Sequence, residues 1–147
     1  SSAGASSSFA AECGIKWVSH MTPNLAALSS QIGSQGSLGG SPLTSAALAL
    51  AQEELTLGRG EAERVIVVVT DRSPVSSTQT AEAAKRLQRE ARVMWIPVSA
   101  RAPVKYFKTL ASRPVRDNLL FIRDAALLSA ASTVQTIAGS ICPQPRV

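Results

Sequence analysis

Asp71 closes the run Arg64-Val65-Ile66-Val67-Val68-Val69-Thr70-Asp71, and its carboxylate is the first group in the chain placed to do chemistry. A carboxylate at the carboxyl end of an apolar strand stands where open α/β sheets bind ligands. The same residue type also ends strands and caps the turns that follow them. A hydroxyl that could join it lies at the end of the glycine-rich loop 33–40, which runs into Ser41-Pro42, an N-cap followed by proline at the first helical position. Such a loop offers free backbone N–H groups that can hold an anion or orient a hydroxyl. It is not a P-loop, because no Gly-Lys-Ser/Thr follows the glycines, and it lacks the strand–G-x-G-x-x-G–helix order of a dinucleotide site. His20 is the only histidine, and Cys13 and Cys142 are the only cysteines. They make no triad or dyad, and no carboxylates pair at a suggestive spacing, so the chain reads as no enzyme. Neither cysteine has a second Cys or His nearby to build a metal site. A Cys13–Cys142 disulfide would close a loop of about 130 residues and add roughly 4–5 kcal/mol in the loop-entropy model. Two unrelated buried thiols fit the sequence as well.

The elements that must position these groups follow from apolar spacing. Five consecutive β-branched residues, Val65–Val69, show no two-fold alternation, which predicts a central strand buried on both faces. Gly14–Ser19 alternates apolar and polar residues and predicts a half-buried strand. Thr22-Pro23 predicts the start of a helix over 23–32 that carries Leu25, Leu28 and Ile32 on one stripe. A second helix begins at Ser41-Pro42, with Leu43, Ala46, Ala47, Leu50 and Ala51 at helical spacing, and stops at Gly58. Ser76 or Ser77 caps a third, running to about Ala91, with Ala81, Ala84 and Leu87 inward and Lys85, Arg86 and Arg89 outward. Val93–Val98 is a further apolar strand, incompletely paired at Pro97, which has no N–H to donate. A short helix over 103–111, an apolar strand over 118–122 and a last helix over 125–141 capped by Asp124 complete the chain. That last helix sets Val134, Ile137, Ala138 and Ile141 toward the core. The alternation from residue 64 onward predicts an α/β fold: a doubly wound, mostly parallel sheet with helices on both faces, in three layers. The organisation is a Ser/Ala-rich segment over 1–12, one domain over 13–143 and a tail over 144–147.

A chain of 147 residues is long enough for one real core. No apolar run approaches the ~20 residues that span a bilayer. No signal peptide is visible, though a processed chain would look the same, so the compartment stays open. The net charge of +5 is unevenly placed. Residues 1–84 hold four basic and seven acidic residues, a net of −3, and residues 85–147 hold eleven basic and three acidic, a net of +8. Such asymmetry steers toward an acidic partner, an anionic membrane surface or nucleic acid, or it marks a solvated helix face. Nucleic acid is disfavoured, because the basic half lacks aromatic–basic interleaving and any recognition-helix or zinc-finger spacing.

Three stretches resemble the von Willebrand factor type A (VWA) domain family. Gly39-Gly40-Ser41-Pro42-Leu43-Thr44 resembles its Gly-Gly-Thr loop before a helix, and Val65–Asp71 resembles its apolar strand ending in Thr-Asp-Gly. Leu110-Ala111-Ser112-Arg113-Pro114 through Asn118-Leu119-Leu120-Phe121-Ile122 is similar to its Ala-Ser-x-Pro…Asn-Val-Phe segment. The ending Ser140-Ile141-Cys142-Pro143 also fits extracellular members. The family commonly binds a divalent cation through an Asp-x-Ser-x-Ser loop, a Thr in the glycine loop and the Asp of Thr-Asp-Gly. The resemblance carries the second ligand to Ser41 and the third to Asp71, with Arg72 where the family often has Gly. The first loop and the family's first strand, which lies between the segments at 14–19 and 64–70, have no counterpart in this chain.

The resemblance therefore implies a divergent or truncated member with an incomplete site, holding Mg²⁺ or Mn²⁺ only where residues outside this chain complete it. It implies a non-enzymatic protein-interaction module, an accessory subunit of a larger assembly. Similarity of 92–99 and 106–122 to VWA domains of protists points to an organellar membrane complex such as a photosystem. The partner would be a protein, acidic where it meets a basic surface of Lys85, Arg86, Arg89, Arg101, Lys105 and Lys108. Attachment to a membrane complex would be peripheral. A non-cytosolic compartment, extracellular or organellar such as a plastid lumen, is favoured. The alternative is a metal-dependent adhesion ectodomain whose missing loop lies upstream of Ser1, which would favour the Cys13–Cys142 disulfide.

Overall fold

A computed structural model of the chain describes residues 12, 14–36 and 42–142. In chain order the elements are α1 (Leu25–Gly33), α2 (Thr44–Glu54), a 3₁₀ turn (Leu55–Leu57), β1 (Val65–Thr70), α3 (Ser77–Gln88), β2 (Arg92–Pro97), α4 (Val104–Leu110), α5 (Val115–Asn118), a second 3₁₀ turn (Ala125–Ser129) and α6 (Ala131–Ile141). The fold is α/β with a parallel sheet, as the order of apolar runs predicts. The chain divides into two compact units, one of Ser1–Ala62 with Pro74–Ala83 and one of Glu63–Ser73 with Ala84–Val147.

In the first unit the segment 14–19 is irregular chain rather than the expected strand. An isolated strand leaves its backbone groups unpaired, and no described strand lies beside this one. Glu54 of α2 holds the segment's end instead, its Oε1 accepting from Met21 N at 2.7 Å and its Oε2 lying 2.8 Å from His20 Nδ1. The Trp17 ring packs on His20 with centroids 4.5 Å apart. α1 starts one residue after Asn24, whose side chain accepts from Ala27 N, so Asn24 and not Thr22 is the N-cap. Its apolar stripe is not buried: Leu25 is 72% exposed and Ile32 58%. α2 buries Thr44, Leu48 and Leu50, and Leu55 follows them into the core before Gly58 ends the turn.

The second unit holds the sheet. β1 and β2 pair in parallel from Val65↔Arg92 to Thr70↔Pro97. Arg92 N donates to Arg64 O and Val98 N to Thr70 O. In the parallel pattern the even residues of β1 therefore face β2, and Val65, Val67 and Val69 direct their backbone groups away from it. The far side of β2 meets the chain at Trp95↔Leu119 and Val98↔Ile122, both parallel. This order corrects the expected centre of the sheet. Among the described residues β1 has a strand on one side only, its residues are half-buried, and Val69 is 55% exposed. β2 is the strand covered on both faces: Val93, Met94, Trp95 and Ile96 are each at most 1% exposed. Each such side chain contributes roughly 1.5–3 kcal/mol. Trp95 stacks on Phe107 of α4 with centroids 4.8 Å apart.

The expected strand over 118–122 forms two isolated bridges rather than a ladder. Leu120 N donates to Trp95 O and Ile122 N to Pro97 O, but Pro97 has no N–H to return. At the other end of β2, Ser112 completes the first rung, its Oγ accepting from Val93 N at 2.9 Å and its N donating to Val93 O at 3.1 Å.

The expected single last helix is broken. Asp124 caps only the 3₁₀ turn by accepting from Ala126 N, and Ala130 in extended backbone separates that turn from α6. None of α6 is buried, so its expected core face is corrected as well. The described sheet is two strands wide and offers little surface for a helix to cover. Arg92, half-buried, reaches the helix end and donates through one Nη to Ser140 O at 2.5 Å and Ile141 O at 2.9 Å. It satisfies carbonyls that the last turn leaves without intrahelical partners.

Candidate functional site

The carboxyl ends of the two strands and of the third extended segment lie side by side, given Thr70↔Pro97 and Val98↔Ile122. β1 leaves as Thr70-Asp71-Arg72, β2 as Val98-Ser99-Ala100-Arg101, and the third segment as Ile122-Arg123-Asp124. Adjacent strands sit ~4.8 Å apart, so an arginine follows each of three neighbouring strand ends. Asp71, Arg72, Arg101 and Arg123 are all exposed.

Asp71 is not a bare carboxylate. Arg72 Nε donates to its Oδ1 at 3.0 Å and an Arg72 Nη donates to its Oδ2 at 3.3 Å. These bonds, more than any other influence, hold the Asp71 carboxyl below its ordinary value against the opposing effect of desolvation, which comes second; the charge of Arg72, a backbone hydrogen bond and then the charge of Arg101 act in the same direction as the bonds. The Asp71 carboxylate likewise raises Arg72. Thr70 Oγ1 donates to Arg72 O at 3.2 Å and fixes the turn.

Arg101 is positioned by a strained residue. Ser99 adopts φ 72°, a left-handed conformation uncommon for a side chain other than glycine. It is held there by three contacts: Ser99 N donates to Ile122 O at 2.7 Å, Ser99 O accepts from Ala102 N at 3.2 Å, and Ser99 Oγ accepts from Arg101 N at 3.4 Å. The loop after β2 is thereby tied to the end of the third segment.

Of the residues singled out from the sequence, Ser41 and Cys13 lie outside the described residues. Cys142 is exposed at the end of α6. Lys85, Arg86, Arg89, Arg101, Lys105 and Lys108 are all exposed, but the fold distributes them. Gln88 Nε2 donates to Leu110 O at 2.6 Å and joins the last turns of α3 and α4, which places Lys85, Arg86, Arg89 and Lys108 toward the amino edge of the sheet. Cations there also favour the helix C-termini. Arg101 stands at the opposite edge with Arg72 and Arg123. Arg72 enters the sequence reading only as a residue beside Asp71, although a signal that groups the three was present: an arginine within four residues of each apolar run's end.

No protein-family model matches the chain, and no curated protein matches it. Among solved structures it is similar to the manganese-loaded TRAP protein of Plasmodium vivax, with a TM-score of 0.55 and 21% identity over 71% of this chain. That match covers 45% of the neighbour, so the chain spans less than half of its length. The likeness shows the fold, a VWA/Rossmann-like arrangement. The described residues do not fit a cation. No group of three or more His, Cys, Asp or Glu among them could hold a metal. Asp71, the carboxylate that the sequence offers as a ligand, already takes two hydrogen bonds from a guanidinium, whereas a hard cation wants about six oxygens.

Proposed function

We propose that this chain is a non-enzymatic protein-interaction module that serves as a structural or accessory subunit of a larger assembly. The observation that carries the reading is the apolar surface left on formed elements. α1 and α6 both bury no residue, and Leu25, Ile32 and Val134 are each at least half exposed. Apolar helix faces of this kind mark surfaces that a partner covers. The VWA-like fold and the exposed basic groups of the second half support an acidic protein partner, with rim charges setting encounter rate and orientation. No helix among the described residues is long and apolar enough to cross a membrane, which is compatible with peripheral attachment. The kind of assembly that the sequence resemblance suggests is an organellar membrane complex such as a photosystem, in a non-cytosolic compartment. Affinity capture of the tagged chain from solubilised native membranes, followed by native gel analysis, tests the reading. Recovery in a defined complex of constant composition supports it; a chain that returns alone from every membrane fraction refutes it.

A second reading has one observation in its favour, the manganese carried by the structural neighbour. Under it the chain is part of a metal-dependent adhesion ectodomain. Asp71 must then leave Arg72, join Ser41, and gain further ligands from sequence upstream of Ser1, and Cys13 and Cys142 would be bonded. Micromolar Mn²⁺ binding by a longer product, lost in Asp71→Ala, would support this reading over the first.

A further inference from the structure

β1 has an open edge. Val65, Val67 and Val69 direct their backbone N–H and C=O groups away from β2, and among the described residues no strand lies on that side. An edge strand of this kind is a template for a further strand, and proteins blunt it with lysine, proline or a bulge. β1 carries none of these. It reads Val65-Ile66-Val67-Val68-Val69-Thr70, and its register against β2 runs from Val65↔Arg92 to Thr70↔Pro97 without a break. Val69 is 55% exposed on this strand. Every side chain of the run is β-branched, the type that pairs well across strands on either face of a sheet.

The run is also its own complement. When two copies of β1 lie antiparallel about a two-fold axis at Val67, Val67 meets Val67 of the second copy and Val65 meets Val69. Residues directed outward then oppose one another, and each such pair exchanges both of its backbone bonds. Ile66 and Val68 meet on the other face in the same way. Sliding one copy by two residues sets Val65 against Asp71 in one direction and Val69 against Glu63 in the other. Either slip brings a carboxylate into a ladder that otherwise pairs valine with valine. We propose that β1 pairs with β1 of a second copy of this chain, antiparallel and centred on Val67, in a continuous sheet with two strands from each copy. The same patch serves both copies, as closed two-fold symmetry requires. A sheet edge, not the helix faces that carry the interaction-module reading, is the contact here, so the dimer goes beyond that reading and does not depend on it.

Sedimentation equilibrium of the full chain, with amide hydrogen exchange at two concentrations, tests the dimer. The expected result is a reversible monomer–dimer equilibrium. In the dilute sample the amides of Val65, Val67 and Val69 exchange freely, while those of Ile66 and Val68, directed at β2, are protected. In the concentrated sample the first three gain at least tenfold protection and the alternation disappears. Val69→Lys should weaken the dimer at least tenfold, because it sets a charged edge residue opposite Val65 of the second copy. Val134→Lys on α6 should leave the equilibrium unchanged. Both positions are at least half exposed, and an unchanged Tm in dilute samples confirms that the variants are folded. A chain that stays monomeric at about 1 mM overturns the proposal. Equal protection of Val65, Val67 and Val69 at both concentrations overturns it too, since one chain would then cover its own edge. A dimer broken by Val134→Lys and not by Val69→Lys puts the contact on the helix and overturns it as well.

Discussion

Arg92→Met should loosen α6 without unfolding the sheet. The Arg92 guanidinium, half-buried at the start of β2, donates to the carbonyls of Ser140 and Ile141, and α6 has no buried residue of its own to hold it in place. A hydrogen bond from a charged group is worth ~1.5–3 kcal/mol, and the favourable position of a cation at a helix C-terminus adds ~0.3–1 kcal/mol. Both carbonyls can turn to water once the arginine is gone, which offsets part of this. A net local loss of ~2 kcal/mol is expected, and at 1.4 kcal/mol per tenfold this is roughly a thirty-fold fall in protection. Met keeps most of the aliphatic stem, so packing along β2 is retained. Native-state hydrogen exchange is the assay. The amides of 134–142 should lose protection by about that factor, while those of Val93–Ile96 keep theirs. Unchanged protection across α6 would refute the argument, because it would show that another contact carries the helix.

Other parts of the structure make sharper stability predictions. Trp95→Ala removes a fully buried side chain stacked on Phe107 and should cost ~3–5 kcal/mol by urea unfolding; a cost under ~1 kcal/mol would mean that β2 is not the centre of the core. Thr80→Val should be neutral or stabilising by about 1 kcal/mol, since the Thr80 hydroxyl is buried with no partner among the described residues; a clear loss of Tm would reveal a hydrogen bond to that hydroxyl. The Asp71–Arg72 pair should give a small pH-dependent increment. Asp71 is depressed from 3.8 in the folded chain, so its contribution is full above that value and vanishes as pH falls through the lower folded value. Because the pair is exposed, solvent screening keeps the increment small. The Tm of the native chain and of Asp71→Asn should therefore draw together as pH falls below 3.8; a constant difference down to pH 2 would contradict this.

How far the sequence could be read depended on whether the controlling contacts were local. The apolar runs at Val65–Val69 and Val93–Val98 located both strands, and the stop at Gly58 and the inward Ala84 and Leu87 of α3 were legible for the same reason. Strand order was not, because pairing is a long-range choice. Val65–Val69 has the composition of a central strand and lies at an edge of the described sheet, while the run containing Pro97 is the buried one. Pro97 is accommodated there because its missing N–H faces the poorly paired third segment. The apolar stripes of α1 and α6 also misled: periodicity shows that a helix has an apolar face, not that the chain itself supplies what covers it. At the site, Asp71 was correctly placed at a strand end, but its meaning changed with the neighbour that pairs with it. Arg72 was visible beside it as a fixed cation. The arginines after the other two strand ends could be joined to it only once the strands were known to be adjacent.

The most direct measurement is affinity capture of the tagged chain from solubilised native membranes, with calorimetric titration of the native chain and of Asp71→Asn against Mn²⁺ beside it. If the chain is an interaction module, it returns in a complex of constant composition, and neither protein binds Mn²⁺ at micromolar concentration. If the chain instead returns alone, and the native chain binds micromolar Mn²⁺ that Asp71→Asn abolishes, the edge is a cation site and the account is contradicted.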